Sequence, residues 1–204
     1  MSGERFNHLF AVDKDHVWAV GPDSLMLRLG YGAQGWEKVE TFKNAFGAKP
    51  LVKIKFANLA RGYVISHDDE TEVSEIYYTR NGGGVWEKLA EIDAALADLS
   101  FGSCEVIYIT GWRNETACIF KSTDGGANWS ENCDLPKFEM KNPFNGETTM
   151  EPQKWAGDIV MFDESTGFVL AHYNQCEDCD PEVDENCEGC DMSKDMASIL
   201  MTAD

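Results

Sequence analysis

Basic residues are scarce in this chain: 17 Lys and Arg stand against 36 Asp and Glu, a formal charge of −19 over 204 residues. That deficit argues against a surface built to neutralise phosphates. Neither a nucleic-acid partner nor an anionic membrane surface is expected. Long apolar runs are missing too. No stretch approaches the roughly 18 residues of a membrane span, so no membrane insertion is expected. The opening residues, Met1 to His8, hold no apolar leader core. That points to a cytoplasmic protein, the alternative being a secreted one whose leader is absent from this chain. Histidine is limited to His8, His16, His67 and His172, each isolated, and no Ser/His/Asp or phosphate-loop pattern is present. What is plentiful is apolar: 43% hydrophobic residues, with 11 Phe, 6 Trp and 6 Tyr. Such a composition supports a sizeable core rather than disorder.

Four segments repeat one plan: an apolar stretch ending in Phe, a short polar turn, then a second apolar stretch. They are His8–Phe10 with Val17–Gly21, Val52–Phe56 with Gly62–Ser66, Leu99–Phe101 with Val106–Gly111, and Ile159–Phe162 with Gly167–Ala171. Short runs of β-branched and aromatic residues between turn formers predict strands. Third strands are predicted at Ser24–Arg28, Glu75–Tyr78, Ala117–Lys121 and Ser198–Met201. Trp36, Trp86 and Trp129 then open fourth strands in the first three units. Four antiparallel strands every 40 to 50 residues predict an all-β fold, a β-propeller of four-stranded blades. The blades fall at about 5–42, 50–90, 97–135 and 155–204, the last without its fourth strand.

Ser122-Thr-Asp124-Gly-Gly126-Ala-Asn-Trp129 fits Ser-x-Asp-x-Gly-x-x-Trp, and Thr79-Arg-Asn81-Gly-Gly83-Gly-Val-Trp86 fits it with conservative replacements. This resembles the Asp-box (BNR) repeat of sialidases, sortilin-type receptors, some glycoside hydrolases and the Ycf48-like photosystem assembly factors. The Phe-x5-Gly-Tyr-Val rhythm is most similar to the last group. The first unit departs, with Leu29, Tyr31 and Ala33 at the Ser, Asp and Gly positions. The expected role of the box is structural: the Asp side chain takes backbone N–H groups, Gly126 supplies positive φ, and Trp129 folds back as an apolar wedge. The resemblance also suggests a sialidase-like or other glycosidase as the alternative function. Five arginines, with Arg80 in a box turn and Arg28 on a third strand, do not suit a converging arginine triad. Asp68, Asp69 and Asp158 are the candidate carboxylates for a glycosidase, and no catalytic residue is assigned.

Two insertions interrupt the repeats, at 136–155 between the third and fourth blades and at 173–197 within the fourth. In a four-stranded blade both emerge opposite the box turns. Loops on a rigid scaffold are where binding concentrates. The expected function is a non-catalytic binding or assembly module. Its loop face, carrying Trp112, Arg113, Trp155 and Asp68, would meet a protein or glycan, and at −19 a basic protein is favoured. The competing reading is solvated loops without a ligand. Cys176, Cys179, Cys187 and Cys190 form paired CxxC knuckles in the acidic second insertion. They predict a tetrahedral zinc site, with two disulfides or free thiols as the alternatives. Cys118, in an apolar strand, is expected to be a buried free thiol. The incomplete last blade leaves three possibilities: part of a larger propeller, a small ring closed by an N-terminal strand, or a homodimer completing a larger propeller.

Overall fold

The computed structural model describes residues 5–30, 32, 35–141, 148–173 and 196–202. The chain forms four antiparallel sheets in sequence. The first holds β1 (His8–Asp13), β2 (His16–Val20), β3 (Met26–Leu29) and β4 (Glu37–Lys38). The second holds β5 (Leu51–Phe56), β6 (Gly62–Asp68), β7 (Val73–Thr79) and β8 (Glu87–Ile92). The third holds β9 (Ala95–Phe101), β10 (Ile107–Arg113), β11 (Thr116–Ser122) and β12 (Ser130–Asn132). A separate hairpin, β13 (Phe138–Lys141) with β14 (Thr148–Glu151), follows. The fourth sheet is β15 (Trp155–Met161), β16 (Gly167–Tyr173) and β17 (Met196–Thr202). First strands lie beside one another, β1 by β5, β5 by β9 and β9 by β15, so the sheets fan from a common edge as propeller blades.

Each blade junction is an apolar layer. Trp18, Val20 and Met26 of the first blade pack with Ile54, Phe56, Val64, Tyr77 and Trp86 of the second. Tyr63, Ile65 and Ile76 of the second meet Leu99, Ile107, Ile109 and Phe120 of the third. Tyr108 and Ala117 of the third meet Ile159, Met161 and Val169 of the fourth. A short helix absent from the sequence expectation, α1 (Thr41–Phe46), buries Phe42 against Tyr77, with ring centroids 4.8 Å apart. Its Thr41 hydroxyl donates to the Gly83 carbonyl at 3.0 Å.

The two Gly-Gly turns share one hydrogen-bond plan. Ser122 Oγ accepts from Gly126 N at 2.8 Å and donates to Asp124 Oδ1 at 2.9 Å, and Asp124 Oδ1 accepts from Asn128 N at 2.9 Å. Thr79, Asn81, Gly83 and Val85 repeat these contacts at 3.0, 3.0 and 2.8 Å. The acid therefore closes the turn four residues on, while the hydroxyl serves the nearer N–H groups. Bonds from Asn128 and Ser122 hold the Asp124 carboxyl down to about 2. Gly82, Gly83, Gly125 and Gly126 all have positive φ. A Cβ on Gly83 would sit 2.3 Å from the Trp18 ring, so glycine lets the turn rest on the preceding blade. Trp36, Trp86 and Trp129 each stand one residue before their strands rather than opening them.

The structure corrects the reading of Cys118. It is disulfide-bonded to Cys133, with Cα atoms 4.1 Å apart, because the turn through Trp129 brings the end of β12 back beside β11.

Lys53 and Lys55, the alternating polar positions of β5, meet an acid at the junction of the inner strands. Lys55 Nζ lies 2.7 and 2.8 Å from the two oxygens of buried Asp98, and Lys53 Nζ lies 3.4 Å away. Asp98 Oδ2 also accepts from Ile159 N at 3.1 Å, tying the third blade to the fourth. His8 Nδ1 accepts from Ile54 N at 3.4 Å, tying the first blade to the second. Burial, and then Lys53, push His8 down to about 4 from an ordinary value of 6.5. The unfolded chain therefore binds a proton between those values that the folded chain refuses. Stability from this group is present above pH 6.5 and is lost as pH falls toward 4. Urea midpoints measured at pH 4.5 and pH 7 should differ more for the wild type than for His8→Gln. Equal differences would show that His8 carries none of this dependence.

Candidate functional site

At the end of the blades opposite the Gly-Gly turns lies a cleft of about 570 Å3. It is lined by the β6–β7 turn (His67, Asp69, Glu72), the β8–β9 connection (Asp93 to Ala95), the β10–β11 turn (Trp112 to Glu115) and Trp155 at the start of β15. Local sequence explains each placement. Asn114 and Glu115 both have positive φ, a two-residue turn of the kind favoured by tight hairpins, and Arg113 pairs with Thr116 across it. The β9–β10 register shifts between Thr110 and Gly111. A Cβ on Gly111 would sit 2.2 Å from the Ala95 carbonyl oxygen, so only glycine permits the approach that brings Trp112 beside Ala95. Trp155 follows Gln153, which is buried and accepts from Ala117 N through its carbonyl at 2.9 Å. Trp112 and Trp155 are both half-buried.

Buried Ser74 ties His67 to the β8–β9 connection. Its hydroxyl donates to Ala94 O at 2.8 Å and accepts from Leu96 N at 3.1 Å. With that proton committed, the 3.0 Å contact to His67 Nδ1 makes the imidazole the donor. Nε2 of His67 then faces Asp69 Oδ1 at 3.4 Å. The Arg113 guanidinium is already engaged, with Nε donating to the Asp93 carbonyl and Nη1 3.1 Å from Glu131. Four carboxylates, Asp69, Glu72, Asp93 and Glu115, line the same space, with Lys154 3.9 Å from Glu115. The cleft is therefore an acidic slot with two indole walls.

Of the residues singled out from the sequence, Trp112, Arg113 and Trp155 come together here. Asp68 does not line the cleft; its Oδ1 accepts from Glu70 N at 3.0 Å and shapes the turn, while His67 and Asp69 on either side of it face the space. Asp158 is on β15, 3.9 Å from Lys53, and belongs to the inner-strand network. Sequence reasoning missed Glu72, Asp93 and Glu115. Asp93 was findable, since a connection between blades reaches the same end as the hairpin tips.

The zinc expectation is overturned. The cysteine bond that the structure holds is covalent, Cys118–Cys133, and among the described residues no three His, Cys, Asp or Glu side chains converge as a metal site. Cys176, Cys179, Cys187 and Cys190 lie outside the described residues. Among the described residues no helix is long and apolar enough to cross a membrane.

Among solved structures, the chain is similar to Ycf48 bound to a D1 peptide, with a TM-score of 0.51 and 14% identity over 83% of this chain and 60% of that one. It is also similar to the GH74 xyloglucanase from Xanthomonas campestris, with a TM-score of 0.60 and 14% identity over 99% of this chain and 28% of that one. The chain thus spans 60% and 28% of the lengths of these two proteins. At this identity the likeness establishes the fold, a β-propeller. No family model and no curated protein matches the chain.

Proposed function

We propose that this protein is a non-catalytic propeller of the Asp-box type that binds a basic peptide segment of a partner protein in the cleft between Trp112 and Trp155. The observation that carries the reading is convergence: two indoles 43 positions apart in the chain wall one cleft whose charged side chains are mostly carboxylates. Indole faces attract cations, and an acidic slot strengthens that attraction. With Arg113 held by Glu131, no free guanidinium offsets the four acids lining the cleft. The likeness to a propeller that holds a peptide supports the same class of ligand. The glycosidase alternative has less support, because of its three candidate carboxylates only Asp69 lines the cleft, while Asp68 and Asp158 occupy separate places. The disulfide supports an oxidising compartment, since such bonds persist outside the reducing cytosol.

Fluorescence anisotropy against labelled peptide sets, one rich in Lys and Arg and one in Asp and Glu, tests this. The basic set should bind, more weakly at high salt. Trp112→Ala and Trp155→Ala should each weaken binding about tenfold or more, as expected for aromatic anchors at the centre of an interface. Equal binding of the acidic set, or undiminished binding by the double variant, would overturn it.

A further inference from the structure

One packing rule recurs at every blade junction. An aromatic near the start of each second strand meets the following blade: Trp18, Tyr63 and Tyr108 are 3%, 2% and 5% exposed. An aliphatic in each first strand meets the preceding blade: Ile54, Leu99 and Ile159 are 0%, 0% and 1% exposed. The pairs share apolar layers, Trp18 with Ile54, Tyr63 with Leu99, and Tyr108 with Ile159. Backbone register fixes the equivalence. Leu9, Ile54, Leu99 and Ile159 stand opposite Ala19, Val64, Ile109 and Val169, each the residue directly after its blade's aromatic. The fourth aromatic is Phe168, and the first aliphatic is Leu9.

These two are the unmatched members of the series. Phe168 is 39% exposed and Leu9 is 59% exposed. The front of the fourth blade continues the patch with Val160 and Phe162, at 53% and 65% exposure, and Phe162 lies edge-on to Phe168 with centroids 5.6 Å apart. Among the described residues, therefore, the fourth blade does not close onto the first. The open front repeats a surface whose covering element is known three times over: the back of a blade with an aliphatic in register. This chain carries one such uncovered back, at Leu9.

We propose that the Phe168 face is covered by the Leu9 face of a second copy, head to tail, so that two copies close an eight-bladed ring. The contact continues the junction already built three times within the chain. Each copy gives one front and one back, and a two-fold axis repeats the junction, so closure satisfies both faces at once. The inference is independent of the cleft, whose walls are other side chains, and cleft variants leave it unchanged.

Sedimentation equilibrium at micromolar concentration tests it. The wild type is expected at twice the monomer mass of 22.8 kDa. Phe168→Asp and Leu9→Asp each remove one half of both contacts and should give folded monomers, with wild-type circular dichroism. An equimolar mixture of the two should regain a dimer holding one of each, because an intact front meets an intact back. That mixed dimer has one junction instead of two and should dissociate at least tenfold more readily. A monomeric wild type, species larger than a dimer, a dimer that survives both substitutions, or no mixed dimer would each overturn the proposal.

Discussion

Replacing Trp86 with alanine is expected to lower stability by about 3–5 kcal/mol. Trp86 is 3% exposed and stands at the meeting of three elements. Its ring centroid lies 6.4 Å from Trp18 of the first blade, 6.3 Å from Phe56 of its own and 6.0 Å from Phe42 of α1. Truncation would empty the centre of that layer, where rigid aromatic neighbours cannot collapse inward. The loss would be steric and apolar, since Trp86 Nε1 has no hydrogen-bond partner among the described residues. Trp129 provides the contrast. It is half-buried and its Nε1 donates to Gly126 O at 2.8 Å, so Trp129→Ala should cost only about 2 kcal/mol, divided between lost burial and a single lost hydrogen bond. Trp86→Phe should keep most of the stability, whereas Trp129→Phe still loses its bond. Urea unfolding of the four variants gives the order directly, and a larger loss for Trp129→Ala than for Trp86→Ala would refute this account.

The same pair of tryptophans shows why the fold was legible in the sequence. The Gly-Gly-x-x-Trp spacing is largely a local device: the hydroxyl, the Asp or Asn side chain and the glycines make most of the turn's bonds among themselves, so its meaning survives in one short window. The strand pairs Val52–Phe56 with Gly62–Ser66, and Ile159–Phe162 with Gly167–Ala171, were readable for the same reason. What escaped depends on neighbours far along the chain. Alternation in Val52-Lys-Ile-Lys-Phe56 marks one face as polar, but only the position of Asp98 turns that face into an ion-paired seam between blades. Helix α1 is too short to carry a period, and its Phe42 is explained by Tyr77 rather than by its own turn. In the cleft, aromatic residues beside hairpin tips could be found by placing loops at one end of the blades. The carboxylates Glu72 and Glu115 could not be told from the many other acids of a chain at −19.

Opening the Cys118–Cys133 bond should lower stability by about 3 kcal/mol, the loop-closure entropy expected for a bridge spanning 15 residues. For a chain of 204 residues that corresponds to a fall in Tm of roughly 6–12 °C. The closed loop contains the whole Ser122–Trp129 turn, so the bridge and the turn's hydrogen bonds restrain the same segment by different means. Reduction frees the end of β12 but leaves Ser122, Asp124 and Gly126 bonded, and unfolding should remain cooperative at the lower temperature. Cys118 is 1% exposed, so the reduced thiol would stay in an apolar layer beside Phe120 and Ile109 rather than in water. Cys104 is exposed and free and should react with iodoacetamide in the native protein, whereas Cys118 and Cys133 should react only after reduction. Peptide mapping identifies the linked pair without interference from the other cysteines. A Cys118→Ala, Cys133→Ala double variant should melt near the reduced wild type and ignore added reductant at this site. If the oxidised and reduced proteins melt together, the bridge does not restrain the third blade, and the support it lends to an oxidising compartment falls with it.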